Sequence, residues 1–149
     1  YLCMLYQSQT MVIVQARSRS PIFLNITEGS LFPTRTSTSG KILLANSNDS
    51  VRDMLLEHDA EFSAFNAQQR KDVLSELVEI KSSGILQQNN ALIDGVTDVS
   101  VLVGEPEGQV IASLTVSSFN NHLGEQLDYD SLLTQLTDTA KIITEQLGC

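Results

Sequence analysis

The sequence contains no tryptophan, and among its 149 residues only two cysteines, three prolines and two histidines. Cys3 and Cys149 sit at opposite ends, without the spacing of a disulfide framework or a zinc site, so reduced thiols and a cytoplasmic setting are expected. His58 and His122 stand far apart with no acidic partner at ligand spacing. A zinc site draws three or four donors together, so no metal and no cofactor are expected. Positive charge is scarce as well: nine Lys and Arg face 18 Asp and Glu, a net charge of −9. Nucleic-acid binding takes most of its affinity from neutralised phosphates, which excludes this stretch as a DNA-contacting surface. No apolar run approaches the roughly 18 residues of a membrane span. The opening "YLCMLYQSQTMVIVQ" has no basic segment and alternates in the manner of strands, so it reads as sheet rather than signal peptide. It begins without Met and inside that strand pattern, and the sequence is therefore expected to be one domain of a longer protein. The triplets Asn25-Ile26-Thr27 and Asn48-Asp49-Ser50 match an N-glycosylation acceptor but carry no weight outside a secretory route.

What is present suits one globular domain over residues 1–149: 42% hydrophobic residues and a mean hydropathy of −0.01. Leu2, Met4 and Tyr6, then Met11, Ile13 and Gln15, alternate on either side of Ser8-Gln9-Thr10 and predict a β-hairpin. "PIFLNI" predicts a third strand that ends at Glu28-Gly29-Ser30. "GKILLANS" suits a short buried helix capped by Ser37 or Thr38, and Asp49 or Ser50 opens another that carries Val51, Met54, Leu55 and His58. Ala67 to Ser83 is an amphipathic helix with Val73, Leu74, Leu77, Val78 and Ile80 as its apolar stripe, stopped by Gly84. Strands follow in "ILQQNNAL", "VTDVSVLVG" and "VIASLTVSSF", the last two joined by the turn "EPEGQ". A closing helix runs from about Tyr129 to Leu147, capped by Gly148. Strands, helices, strands and a helix, with hairpin neighbours, predict an α+β domain in which helices pack on an antiparallel sheet.

The stretch "TSTSGK", Thr36 to Lys41, ends in the Gly-Lys pair of a phosphate loop, but that loop needs Gly five residues earlier and a hydroxyl after Lys. Those positions hold Arg35 and Ile42, so the phosphate-loop reading fails. Longer stretches carry a different resemblance. "EGSLFPTRTSTSGKILLA" resembles the Gly-x-x-x-Pro…Gly-Lys-x-Leu-Leu-Ala block of the effector-binding domain in the isocitrate-lyase-regulator (IclR) family of bacterial transcription factors. "VEIKSSGILQQNNALIDGVTDVSVLVGEPEGQVIASLTVSSF" resembles that family's second block, and "TAKIITEQLG" its closing helix. Together they span nearly the whole chain in the correct order. The resemblance implies a GAF/profilin-like sheet with helices on its faces and a small-metabolite pocket beside it. It also implies association into dimers or tetramers, and a winged helix-turn-helix DNA-binding domain that this stretch does not include. Carried over by position, the pocket residues are Leu24, Phe32, Thr38, Ser39, Gln88, Val96, Asp98, Thr115 and Ser117.

Physical reasoning supports parts of that set. Val96 and Asp98 share one face of a strand, as do Thr115 and Ser117 on the next. A hydroxyl-rich loop entering a helix presents unpaired N–H groups and a positive dipole end, which suits an anionic group. Plainer readings stand beside these: Ser37 or Thr38 as a mere cap, Asp98 as a solvent-facing edge acid, Lys41 as a solvated helix residue. Arg17, Arg19 and Arg35 are read as solvated turn residues, and Cys3 as a small apolar core residue.

The family resemblance favours a sensor without catalysis. The other classes are a small enzyme, in which Asp98 and Thr115 form a general-base pair, and a dimerisation module without ligand. Many members of the family have an uncharged residue where this chain has Asp98. A ligand carboxylate about 4 Å from an ionised Asp98 meets roughly 4 kcal/mol of repulsion at an effective dielectric of roughly 20. Either Asp98 is protonated or the ligand is bipolar, and a bipolar ligand is the expectation. Its anionic end lies on Thr38 and Ser39, its hydroxyl or amine end on Asp98, Gln88, Thr115 and Ser117, and Val96, Leu24 and Phe32 enclose its middle. Subunit contacts are expected at strand edges or on the short helix from Val51 to Leu56.

Overall fold

The computed structural model describes residues 1–19, 24–109, 111–120 and 128–149. His122, Val110 and the Pro21-Ile22-Phe23 part of the expected third strand lie outside the described residues. The chain runs β1 (Leu2–Tyr6), β2 (Gln9–Val14), β3 (Leu31–Pro33), α1 (Thr38–Asn46), α2 (Asp49–Glu57), α3 (Ala60–Ser63) and α4 (Ala67–Ser83). It continues through β4 (Ile85–Asn89), β5 (Val96–Gly104), β6 (Ile111–Phe119) and α5 (Tyr129–Leu147). The six strands form one sheet in the order β3-β2-β1-β6-β5-β4, antiparallel throughout. The α+β architecture expected from the sequence is the one observed.

Two three-stranded halves meet where β1 pairs with β6, Leu2 opposite Leu114 and Cys3 opposite Ser113. The pleat then divides the side chains between two faces. Val99, Val101 and Val103 of β5, with Ala112 of β6, pack against Leu136 and Ala140 of α5. The opposite face lies under α1 and α4, whose Ile42, Leu44, Leu77 and Ile80 pack with Leu86 and Leu102. On this second face Asp98 stands across from Ser117, and Ser100 from Thr115. The sheet is thus apolar towards α5 and partly hydroxyl-lined beneath the start of α1.

Local signals explain the helix ends. Ser37 caps α1 by accepting the Gly40 N–H, and Asn48 caps α2 by accepting that of Val51. A capping box opens α4: Asn66 accepts the Gln69 N–H while the Gln69 side chain accepts from the Asn66 N–H. Gly84 ends α4 at φ 71°, a conformation that side-chain-bearing residues resist.

Several expectations change. The third strand is Leu31–Pro33, after the Glu28-Gly29 turn rather than before it, and Leu24 to Thr27 is not strand. It pairs with β2, so Phe32 lies opposite Thr10, a long-range partner with no local signature. The strand expected over "ILQQNNAL" stops at Asn89. Only part of the α4 stripe is inside: Leu77 and Ile80 are buried, but Leu74 is 39% and Val78 68% exposed. Arg35 and Lys41 are not solvated residues. Arg35 pairs with Asp59 and Glu61 and lies 5.0 Å over the Phe65 ring, fastening the one-turn helix α3 that the sequence reading lacked. Lys41 reaches Glu76 of α4 at 2.5 Å. No helix among the described residues is long and apolar enough to cross a membrane.

Candidate ligand site

Asp98 is 2% exposed, and the reading of it as a solvent-facing acid is wrong. The alternation of β5 that points its valines at α5 necessarily points this carboxylate under α1. Three donors meet it. Thr38 Oγ1 donates to Oδ2 at 2.9 Å, Asn90 Nδ2 donates to the same oxygen at 2.9 Å, and Ser117 Oγ donates to Oδ1 at 2.6 Å. Ser117 Oγ also lies 3.1 Å from the Tyr1 phenol oxygen. A hydroxyl has one proton; with Asp98 taking it, the phenol is left as the donor to Ser117. Burial first, and then the Asp98 charge, raise the Tyr1 phenol above its ordinary value, so it stays protonated.

A second hydroxyl chain runs beside the first. Ser100 Oγ and Thr115 Oγ1 are 2.8 Å apart, and Thr115 Oγ1 lies 3.2 Å from Ser39 Oγ. Cys3 is wholly buried, as expected of a small core residue. Burial pushes its thiol up to about 11 against the lowering effect of Ser39, which keeps it from acting as a thiolate.

The anion expected at "TSTSGK" is this chain's own. Thr38 is the first residue of α1, and its hydroxyl is committed to Asp98. The first residue of α1 is therefore already hydrogen-bonded to a carboxylate through its side chain. In the bipolar arrangement expected from the sequence, Thr38 and Asp98 stand at opposite ends of the ligand; here these two side chains are in contact.

Tyr1, Phe32, Ser37, Ser39 and Asp98 line a cavity of about 30 Å³, covered by Asn90 to Ile93 and flanked by Ile26. That volume holds water but no organic molecule. The rings of Tyr1 and Phe32 meet edge to face, with centroids 6.0 Å apart. The cover is tied down by one side chain: Asn90 Oδ1 accepts the N–H groups of Leu92 and Ile93 at 2.9 and 3.0 Å while its amide holds Asp98.

Of the nine residues singled out from sequence, Phe32, Ser39 and Asp98 line this cavity, and Thr38 and Ser117 hold the carboxylate from behind. Thr115 binds Ser100 and Ser39 rather than Asp98, so the Asp98–Thr115 base pair of the enzyme reading does not form. Val96 is buried on the Asp98 face. Gln88, opposite Asp98 on β4, spends its amide on the Thr36 carbonyl at 3.1 Å. Leu24 is not in the wall; Ile26 takes that place. Sequence reasoning missed Tyr1 and Asn90. Tyr1 joins only through the β1–β6 pairing, but the Asn89-Asn90 pair before Asp94-Gly95 was a visible turn signal. Among the described residues, no three His, Cys, Asp or Glu side chains are grouped to hold a metal ion.

Residues 1–145 match the family model for the C-terminal domain of the bacterial transcriptional regulator IclR. No curated protein matches the sequence. Solved structures share the fold at low identity. A putative transcriptional regulator from Rhodococcus sp. RHA1 superposes with a TM-score of 0.78 at 18% identity, over 98% of this chain and 60% of that one. An IclR homologue from Microbacterium hydrocarbonoxydans complexed with 4-hydroxybenzoate gives 0.76 at 16% identity, over 98% and 59%. The inducer-binding domain of an Acinetobacter PobR double mutant, in complex with 3-hydroxybenzoic acid, gives 0.73 at 19% identity, over 96% and 85%. The chain spans about 60% of the length of the first two of these proteins. With the family model covering nearly all of it, the chain belongs to the IclR family of bacterial transcriptional regulators, as their C-terminal domain.

Proposed function

We propose that this domain senses a small polar metabolite beside Asp98 and relays its binding to a winged helix-turn-helix DNA-binding domain elsewhere in the full regulator. The setting is the cytoplasm and the assembly a dimer or tetramer. The observation that carries the reading is the placement of Asp98: a buried carboxylate, held by hydroxyls from two elements, facing a cavity with two aromatic rings in its wall. Hydroxybenzoates in two structural neighbours support a ligand of about that size. Entry requires the cover at Asn90 to Ile93 to move outward, because the cavity is smaller than any such molecule. The Thr38 hydroxyl at the start of α1 supplies the mechanical link, since whatever engages Asp98 also pulls on that helix.

A binding role rather than a catalytic one is favoured by two facts: among the described residues no base is hydrogen-bonded to Thr115, and the Cys3 thiol is held protonated. Native mass spectrometry of the purified protein, followed by calorimetry with any metabolite retained from the host, tests the proposal. The Asp98→Asn variant is expected to bind that metabolite about 1–3 kcal/mol more weakly, the loss associated with a charged hydrogen-bond partner. Binding unchanged by that substitution would place the effector elsewhere.

A further inference from the structure

We infer that the ligand of this cavity is a small organic cation, an amine, rather than an acid. The inference rests on reading the Asp98 cavity as the effector site. Asp98 is buried, yet its three partners are two hydroxyls and an amide, all neutral. Among the described residues no Lys, Arg or His side chain lies within ion-pair distance of it. Arg35, Lys41, Arg52 and Lys81 are each paired with other carboxylates. A buried charge without a countercharge is costly and calls for a partner. Among the described residues the cavity wall likewise contributes no basic side chain, and the Tyr1 ammonium of this chain is spent on the Thr115 carbonyl at 2.8 Å. At the usual alternative for an anion, the helix N-terminus, the Thr38 hydroxyl is already committed to Asp98.

The aromatic wall points the same way. Tyr1 and Phe32 border the space in front of the carboxylate, and ring faces attract a cation where they repel an anion. Asn90 completes the argument. Its amide occupies the position on Asp98 Oδ2 that a ligand N–H would take, and its carbonyl oxygen holds the cover. An ammonium group is a stronger, charge-assisted donor than an amide. Displacing Asn90 with it releases Leu92 and Ile93 in the same step, which couples recognition of positive charge to opening of the cavity. A neutral donor competes with Asn90 on even terms and lacks that advantage.

The test uses three probes of one size, benzylamine, benzyl alcohol and benzoate, with the 149-residue chain in thermal melts and calorimetry at neutral pH. Benzylamine is expected to raise Tm and to bind at least about tenfold tighter than benzoate. Asp98→Asn should erase that preference, and Phe32→Leu should weaken benzylamine about threefold. Asn90→Ala, a change outside the packed core, should tighten benzylamine by removing the competing amide; it keeps the test open if Asp98→Asn fails to fold. Benzyl alcohol or benzoate binding as tightly as benzylamine, or an amine preference that survives Asp98→Asn, overturns the cation inference and leaves the sensing role standing. Failure of all three probes to bind at millimolar concentration overturns the cation inference alone, since the sensing role is tested by the retained metabolite.

Discussion

At Gly40 the backbone of α1 passes so close to the end of β3 that a Cβ would sit 2.2 Å from the Thr34 carbonyl oxygen and 2.6 Å from its Cα. Both atoms are backbone, so Gly40→Ala forces one segment to move. The expected cost is about 1–3 kcal/mol, measured by urea denaturation. The same shift carries Thr38 away from Asp98, so ligand binding should weaken with stability. A fully stable Gly40→Ala protein would contradict the close approach. The two cysteines make a second test at this scale. Cys3 is buried with its thiol pushed up to about 11, whereas Cys149 is exposed. An alkylating reagent should label Cys149 alone in the folded protein, and Cys3 only after unfolding.

The elements around the site are joined by charge as well as by packing. Arg35, in the turn before α1, ties down α3 through Asp59 and Glu61, with its guanidinium side chain only 12% exposed. Arg35→Met removes these bonds and should cost about 1–2 kcal/mol, read as a lowered midpoint in denaturant. Asp59 also caps α3 by accepting the Phe62 N–H at 2.9 Å. Partial burial pushes its carboxyl up, but the Phe62 N–H and the Arg35 guanidinium outweigh that and hold it below its usual value. A carboxyl depressed on folding stabilises the protein above its unfolded pKa, and the contribution is lost as pH falls through the lower folded value. Asp59→Asn keeps a competent cap but removes the charge. Its stability should therefore fall less steeply than that of the wild type below about pH 4. Parallel acid limbs in the two proteins would show that the Arg35 pair contributes nothing.

On the scale of the whole molecule, exposed apolar side chains lie at the β3 edge of the sheet, at Val14 and Leu31, and on the helices. Leu55 and Leu56 of α2 are buried within the chain, leaving Met54 exposed there. Leu74 and Val78 of α4, four residues apart, form a neighbouring exposed pair on one helix face. Self-association is therefore expected to use α4. Sedimentation should show a dimer or larger, and Val78→Glu should shift the population towards monomer. A clean monomer of the unmodified chain at high concentration would remove this expectation.

Much of the fold was legible in the sequence because the signals are local. The spans of α4 and α5, the capping Gly84 and Gly148, and the Val96–Gly104 strand follow from periodicity and end chemistry within a few residues of each position. So does the acid itself: alternation alone set Asp98 opposite in direction to Val99, Val101 and Val103. The family was legible too, from three blocks in order. What the sequence did not contain was which elements meet. The β1–β6 pairing brings Tyr1 to Ser117, and the β2–β3 pairing puts Phe32 in the wall. The docking of α1 on the sheet turns Thr38 onto Asp98. The Thr38–Asp98 and Tyr1–Ser117 contacts join residues 60 and 116 positions apart in the chain, and no local spacing encodes such distances. For that reason an acid and a hydroxyl loop read separately looked like the two ends of a bipolar site. Tertiary packing placed them in contact and made them a single anionic one.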